Sequence, residues 1–209
     1  MTEPGSDRTA RTASASVVSR TAASRTATPV KHMTIGILLP VPEPYGGELR
    51  ARRIGYGDPQ GKLTPTHVTL LPPTELAAAA FPEVDRHLSR VAARGRPFRM
   101  RLYGTGTFRP VTQVVYVRVG EGRQECVDLE AGIRDGVLDR ELQFPFHPHV
   151  TVAYQLEQER LDAAYLDLAG YDASFEVSGF TVYRQDGPGT PWQPVRTYPL
   201  GHSLRTAAA

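Results

Sequence analysis

The chain has 209 residues, and its 40% apolar content is enough to bury one hydrophobic core or two small lobes. Its 24 basic and 22 acidic side chains leave a net charge of +2, which gives no reason to expect binding of long nucleic acids through overall charge. The single cysteine, Cys126, excludes an intramolecular disulfide and a cysteine-cluster zinc site. No apolar run approaches the ~20 residues of a membrane span, so we expect a soluble, cytoplasmic protein with no membrane partner.

The first 32 residues are mostly Ser, Thr, Ala and Arg, and they carry five basic and two acidic side chains. A segment without large apolar residues cannot offset the entropy that it loses on ordering. We therefore predict a disordered tail over residues 1–32, a folded domain over residues 33–200 and a flexible C-terminal tail over residues 201–209.

From Met33 onward, one order of predicted elements occurs twice: strand, helix, strand, helix, strand. The first unit has strands at 34–40, 66–71 and 97–103, with helices at 47–56 and 74–93. The second unit has strands at 113–119, 148–154 and 174–183, with helices at 126–138 and 157–168. A last strand spans residues 193–200. The repeat predicts an α+β fold of two similar lobes related by a pseudo-twofold axis.

A His-x-Thr triplet lies on the middle strand of each unit, at His67–Thr69 and at His149–Thr151. Side chains two residues apart on a strand point to the same face, so each histidine projects together with its threonine. The valine between them points the other way, into a core. One such triplet is ordinary in a strand, where the histidine is usually buried and bonded to backbone. Two triplets at equivalent places favour a shared catalytic site.

Two imidazoles and two hydroxyl groups suit the hydrolysis of a phosphodiester. One neutral histidine can accept a proton while the other, protonated, donates one, and each threonine can donate a hydrogen bond to a phosphate oxygen. We expect His149 to act as the base and His67 as the acid, although the pseudo-twofold axis makes the reverse assignment the alternative. This scheme needs no metal and no cofactor.

The two triplets and their apolar flanks, Thr66–Leu70 and Phe146–Val152, resemble the 2H phosphoesterase superfamily, which includes the bacterial 2′-5′ RNA ligases and cyclic phosphodiesterases. The segment Gly104–Phe108 is also similar to that family. The resemblance implies two lobes whose two antiparallel sheets line a central groove, with the helices outside and the four catalytic side chains in the groove. It further implies an enzyme that cleaves a 2′,3′-cyclic phosphate on an RNA end or a small nucleotide, with Tyr154 contributing to the substrate pocket and a possible reverse 2′-5′ ligation. We expect a monomer.

Several alternatives stay open at this point. The groove could hold a nucleotide or an RNA end without catalysis, as a binding module. His147 and His149 form a His-x-His pair that could chelate a metal if a third ligand were nearby. Gly104 and Gly106 are expected to form a turn that leads into the second unit, and His87 is expected in solvent on a charged helical face.

Overall fold

The computed structural model describes residues 31–201. The predicted tails therefore lie outside the described residues, apart from Lys31, His32 and Gly201. The first strand begins at His32, and the backbone amide of Gly201 donates a hydrogen bond to the carbonyl of Ala92. Within residues 31–201, none of the helices is both long and apolar enough to span a membrane.

Eight strands and four α-helices make up the described chain. In chain order they are β1 (His32–Pro40), α1 (Tyr45–Gly55), β2 (His67–Ala77), α2 (Phe81–Arg94), β3 (Phe98–Thr107), β4 (Val114–Val119), α3 (Arg123–Arg134), β5 (His149–Tyr154), α4 (Gln158–Asp167), β6 (Asp172–Val177), β7 (Gly179–Gln185) and β8 (Gln193–Pro199). Short 3-10 turns occupy Pro59–Lys62 and Ala78–Ala80. The predicted α+β class is confirmed.

The strands form one antiparallel sheet in the order β6-β3-β4-β5-β2-β1-β7-β8. The expectation of two separate sheets is therefore not met. Two four-stranded halves are joined at β5 and β2, and the joint consists of a single registered pair, Val68 with Val150. The halves do not coincide with the two predicted units, because β3, the last strand of the first unit, lies in the same half as β4 and β5 of the second unit.

The predicted strand 174–183 is two strands in the structure. Between them the chain crosses from one half of the sheet to the other. Strand β6 pairs with β3, whereas β7 pairs with β1 in the other half. The break falls at Ser178, whose carbonyl accepts a hydrogen bond from the backbone amide of Leu200. At Gly179 a Cβ atom would stand 2.7 Å from the carbonyl oxygen of Tyr198, so glycine lets β7 and β8 approach closely. Continuous β-propensity over residues 174–183 gave no sign of this crossing.

Strand β2 continues through Pro72 and Pro73 to Ala77, where the sequence predicted a helix from residue 74. The two prolines lie at a register irregularity in the pairing of β1 with β2, where a missing amide hydrogen costs no ladder bond. Helix α2 starts only at Phe81, with Pro82 in its first turn, a position that also needs no amide donor.

The helices bury the valines of the two triplets. Helices α1 and α4 pack on β5, and helix α3 packs on β2. Their apolar side chains join Val68 and Val150 in one hydrophobic core. His87 of α2 is also buried, and its Nε2 lies 3.0 Å from the carbonyl oxygen of Ile133, so the expectation that it lies in solvent is wrong.

Candidate active site

The two His-x-Thr triplets lie side by side at the centre of the sheet. Directly paired residues share a face of the sheet and neighbours along a strand alternate, so the pair Val68–Val150 fixes the orientation of both triplets. Both valines are fully buried in the core, and the four histidine and threonine side chains occupy the opposite face. The sequence suggested triplets that face each other across a groove between two sheets. The structure instead places them on adjacent strands, β2 and β5, on one face of a single sheet.

The two histidines are held in the same way. In each ring Nδ1 lies 2.6 Å from the carbonyl oxygen of the residue two positions earlier, Pro65 for His67 and His147 for His149. A carbonyl only accepts hydrogen bonds, so Nδ1 carries the hydrogen and Nε2 of the neutral ring has a free lone pair. For His67, Nε2 lies 3.1 Å from the hydroxyl oxygen of Thr69. The chain thus presents two Nε2 atoms, each in a fixed orientation, for proton transfer.

Burial keeps both rings neutral. Removal from water lowers the pKa of His67 to about 4, and the nearby charges of Arg53 and His149 act in the same direction. Burial also lowers the pKa of His149; the hydrogen bond to the carbonyl of His147 opposes this shift, and the charge of the His147 ring adds to it. Protonation of His149 opposes protonation of His67, as expected for two imidazoles that lie close together.

Aromatic rings surround His149 on one side. The ring of Phe108 meets His149 edge-on at 5.0 Å between centroids, and the ring of Tyr116 lies 5.2 Å from it. His147 stands against the same two rings at 5.4 Å from each, and its Nδ1 is buried without a hydrogen-bond partner in residues 31–201. These rings shield His149 from water, which accounts for the burial that lowers its pKa.

The positions of the His147 and His149 rings do not support the alternative in which the two chelate a metal. Their ring centroids are 6.1 Å apart, and the Nδ1 of His149 already donates to a carbonyl. In the part of the chain that the structure describes, no group of three His, Cys, Asp or Glu side chains is arranged to hold a metal ion.

A cavity of about 430 Å³ opens beside Thr69 and His149. Its wall is mostly apolar and includes Phe108, Phe144 and Val111, the last two being 54% and 69% exposed at the mouth. The volume falls within the range of small-molecule pockets, and a planar apolar group would fit its aromatic lining. The sequence did not indicate Phe144 or Val111, because both lie in irregular segments where no period distinguishes a pocket residue from a loop residue.

One charged residue lines the same cavity. Glu130 of α3 is buried there, and its carboxylate pairs with the guanidinium of Arg134 one turn later. The same Arg134 side chain donates to the carbonyl of Arg140, which ties the segment after α3 to the helix. The pairing neutralises the carboxylate, so the cavity does not repel an anion.

The glycines at 104 and 106 lie inside strand β3, so the predicted turn is wrong. Gly104 occupies a bulge with a positive φ of 53°, which glycine adopts at little cost. A Cβ atom at Gly106 would stand 2.5 Å from the ring of Tyr116, which is its partner on β4. Gly106 therefore makes room for the ring that packs against His149.

Tyr154 lies at the end of β5, paired with Val114, and is 40% exposed. It is not among the residues that line the cavity beside the histidines. Its contact with substrate stays a prediction.

Three comparisons place this geometry among known proteins. The family model of the 2′-5′ RNA ligase superfamily matches residues 40–189. A protein of Oceanobacillus iheyensis, provisionally named a phosphoesterase, is 30% identical over 147 residues, which cover 69% of this chain and 85% of that protein. A Bacillus licheniformis protein with the same provisional name is 31% identical over 146 residues, with the same coverage.

Solved structures share the fold at lower identity. The crystal structure of E. coli LigT is 19% identical and superposes with a TM-score of 0.59, covering 82% of this chain and 100% of that one. A Thermus thermophilus protein is 22% identical with a TM-score of 0.59, covering 81% of this chain and 98% of that one.

Proposed function

Because the chain belongs to the 2′-5′ RNA ligase superfamily, we propose that it is a metal-independent phosphodiesterase that hydrolyses a 2′,3′-cyclic phosphate on an RNA end or a small nucleotide. The observation that carries the proposal is the pair of His-x-Thr triplets on one face, with both Nδ1 atoms held by backbone carbonyls. A binding site alone has no use for two imidazoles with matched orientations, whereas acid–base catalysis requires one on each side of the reacting phosphorus.

Hydrolysis then proceeds by two proton transfers. Nε2 of His149 removes a proton from a water molecule as the water oxygen bonds to phosphorus. The bond from phosphorus to the 3′ oxygen breaks, and Nε2 of His67 gives that oxygen its proton. The product carries a 2′-phosphate and a free 3′-hydroxyl group. In a 2′-5′ ligation a 5′-hydroxyl group takes the place of the water and the two histidines keep these roles, whereas they exchange roles when the 2′-5′ bond is cleaved to re-form the cyclic phosphate.

The threonines act on the phosphate rather than on the water. Thr69 and Thr151 lie on the same face as the histidines, and each hydroxyl can donate a hydrogen bond to a non-bridging oxygen on which negative charge builds up. In the free protein the hydroxyl of Thr69 lies 3.1 Å from Nε2 of His67. Substrate replaces this contact, which frees both groups for the reaction.

A bound phosphate also favours the protonation of one histidine, which the mechanism requires. Both histidine pKa values lie below the usual range, so both rings are neutral in the empty site near pH 7. An anionic phosphate between them raises the pKa of a nearby imidazole and so favours uptake of one proton. Substrate binding thereby produces the one neutral and one protonated ring that the mechanism needs.

The apolar cavity beside His149 is suited to the nucleoside part of the substrate. Its aromatic wall offers stacking surfaces to a base, and Thr69 and His149 at its edge would meet the attached phosphate. Crystal structures of E. coli LigT, which has this fold, are complexed with 3′-AMP, ATP, NADP+ or phosphate. The same cavity supports the alternative function, a nucleotide-binding module without turnover.

A substrate survey separates these two functions. Purified protein would be incubated with 2′,3′-cyclic nucleotides, oligonucleotides with cyclic ends and other phosphodiesters, and the products followed by phosphorus NMR. We expect conversion of the cyclic phosphate to a 2′-monoester, whereas a 3′-monoester would reverse the roles of the two histidines. A protein that binds these nucleotides but converts none of them would be the binding module.

A further inference from the structure

A row of paired residues extends from His149 across the sheet on the face of the proposed active site. His149 pairs with Arg118 of β4, Arg118 pairs with Tyr103 of β3, and Tyr103 pairs with Asp172 of β6. Directly paired residues share a face, so all four side chains lie on the side of the sheet opposite the helices. Two strand spacings, about 10 Å, separate His149 from Tyr103.

Glycine keeps this surface shallow. A Cβ atom at Gly120 would stand 2.6 Å from the ring of Tyr103, and one at Gly104 would stand 2.8 Å from the guanidinium of Arg118. The absence of Cβ atoms lets both side chains lie along the sheet instead of standing on it. The ring of Tyr103 remains 37% exposed, as a flat platform beside the site.

The row carries one cation that no acid of the described residues neutralises. The guanidinium of Arg118 lies 4.8 Å from the centre of the Tyr103 ring and is exposed. Within residues 31–201, Arg118 forms no ion pair with Asp or Glu. Arg101, whose guanidinium lies 5.6 Å from the centre of the same ring, is instead paired with Asp172. An exposed ring beside a free guanidinium is the combination that binds a base by stacking and its phosphate by charge.

We propose that Tyr103 and Arg118 bind single-stranded RNA next to the reacting end, so that the preferred substrate is an oligonucleotide terminus rather than a free cyclic nucleotide. The inference rests on the proposed function for the place of the reacting phosphate at His149. One platform and one free cation fit one or two nucleotides, which agrees with a chain whose overall charge is too small to hold a long nucleic acid. A protein partner would require a larger apolar surface than this row offers.

Equilibrium binding tests the inference without relying on turnover. The probe is a hexaribonucleotide with a 5′ fluorescein and a 3′ phosphate, and its affinity is measured by fluorescence anisotropy. Tyr103→Ala and Arg118→Ala should each weaken binding about tenfold, whereas Tyr103→Phe should bind like the original protein because it keeps the stacking face. In a plot of the logarithm of the binding constant against the logarithm of the salt concentration, Arg118→Ala should also make the slope less steep by about 0.7. This is the value for one lost phosphate contact on a single strand.

The control variant is Arg86→Ala, which removes the same charge from an exposed position on α2. If Arg118→Ala and Tyr103→Ala bind the probe no more weakly than Arg86→Ala, the inference is overturned.

A kinetic comparison separates this inference from the proposed function. The ratio of kcat/KM for a hexanucleotide with a cyclic end to kcat/KM for a cyclic mononucleotide should be above about ten in the original protein, the gain from one stacked base. It should fall toward one in Tyr103→Ala and Arg118→Ala. A ratio near one that the variants leave unchanged contradicts the inference while the phosphodiesterase stands. If neither substrate is hydrolysed but RNA binding still depends on the two residues, the phosphodiesterase proposal fails and the binding inference is supported.

Discussion

At the scale of single residues, the most informative feature is the shared support of His67 and His149. Each ring is fixed through Nδ1 by a carbonyl two residues earlier on its own chain segment, so the position of each Nε2 depends on local backbone only. The pattern His-x-Thr predicted which side chains share a face. It could not predict these carbonyl contacts, because they depend on the backbone before each strand begins.

The lowered histidine pKa values determine the expected pH dependence of catalysis. For the free enzyme, the form with one protonated and one neutral ring is most abundant between the two pKa values, and burial lowers both of them, that of His67 to about 4. A plot of kcat/KM against pH reports the free enzyme. We therefore expect a bell-shaped profile with its maximum below pH 6.5. The maximum of kcat should lie at higher pH, because bound phosphate raises the imidazole pKa. A maximum of kcat/KM above about pH 7 would show that burial does not control these rings.

The two threonines should differ in one respect. Thr69→Ala and Thr151→Ala should each lower kcat by roughly 10- to 100-fold, the scale of one hydrogen bond to a charged group. Serine at either position keeps the hydroxyl and should restore most of the rate. The Thr69 hydroxyl contacts Nε2 of His67 in the free protein, so Thr69→Ala should shift the pH profile of kcat/KM more than Thr151→Ala does. Equal shifts in the two variants would contradict the inference that the Thr69 hydroxyl influences the protonation of His67.

At the scale of elements, Gly106 of β3 determines how a side chain of β4 packs on the sheet. Glycine leaves the space in which the Tyr116 ring lies, and that ring packs on both Phe108 and His149. The sequence showed the glycine but indicated a turn, because glycine inside a strand usually weakens it. The reason for its presence is a tertiary contact, which no local pattern contains.

Gly106→Ala should therefore disturb the site through Tyr116. The added methyl group overlaps the ring, and overpacking of this kind costs about 1–3 kcal/mol of unfolding free energy. Displacement of the ring should also lower kcat. The matched control is Gly55→Ala at the end of α1, where a Cβ atom meets nothing within 4 Å. Chemical denaturation should find the control unchanged or slightly stabilised, and equal stability of the two variants would refute the role given to Gly106.

The same limit applies to the larger elements. Alternation and composition predicted the repeated order of strands and helices and the two triplets at its centre. They missed the continuation of β2 through Pro72 and Pro73 and the break at Ser178, because both depend on register with a neighbouring strand. The cavity was missed for a related reason, since Val111 and Phe144 come from separate irregular segments that meet only in the folded chain.

At the scale of the whole molecule, the buried histidines make stability depend on pH. The pKa of His67 is about 4 in the folded protein and near 6.5 in an unfolded chain, so the unfolded chain binds more protons between these values. The contribution of His67 to the free energy of unfolding should be constant above pH 6.5, and it should decrease as the pH is lowered toward 4. His149 contributes in the same direction.

Urea denaturation at about pH 7.5 and about pH 5.5, on either side of the unfolded histidine pKa, measures this loss. His67→Asn removes one of the two titrating groups and should lose less stability between the two pH values than the original protein. His32→Asn, at an exposed position on β1, is the control and should keep the full loss. A pH dependence unaffected by His67→Asn would mean that its ring is not protonated preferentially in the unfolded chain.

The central claim is that two imidazoles, without a metal, catalyse the hydrolysis. The most direct measurement is the turnover of a 2′,3′-cyclic nucleotide by protein kept in EDTA, compared for the original chain, His67→Asn, His149→Asn and the exposed control His32→Asn. We predict full activity in EDTA for the original chain and for the control, and a loss of at least about 100-fold for each of the other two variants, the usual contribution of a general acid or base. Activity that EDTA abolishes and zinc restores, or that survives the loss of either His67 or His149, would contradict the claim.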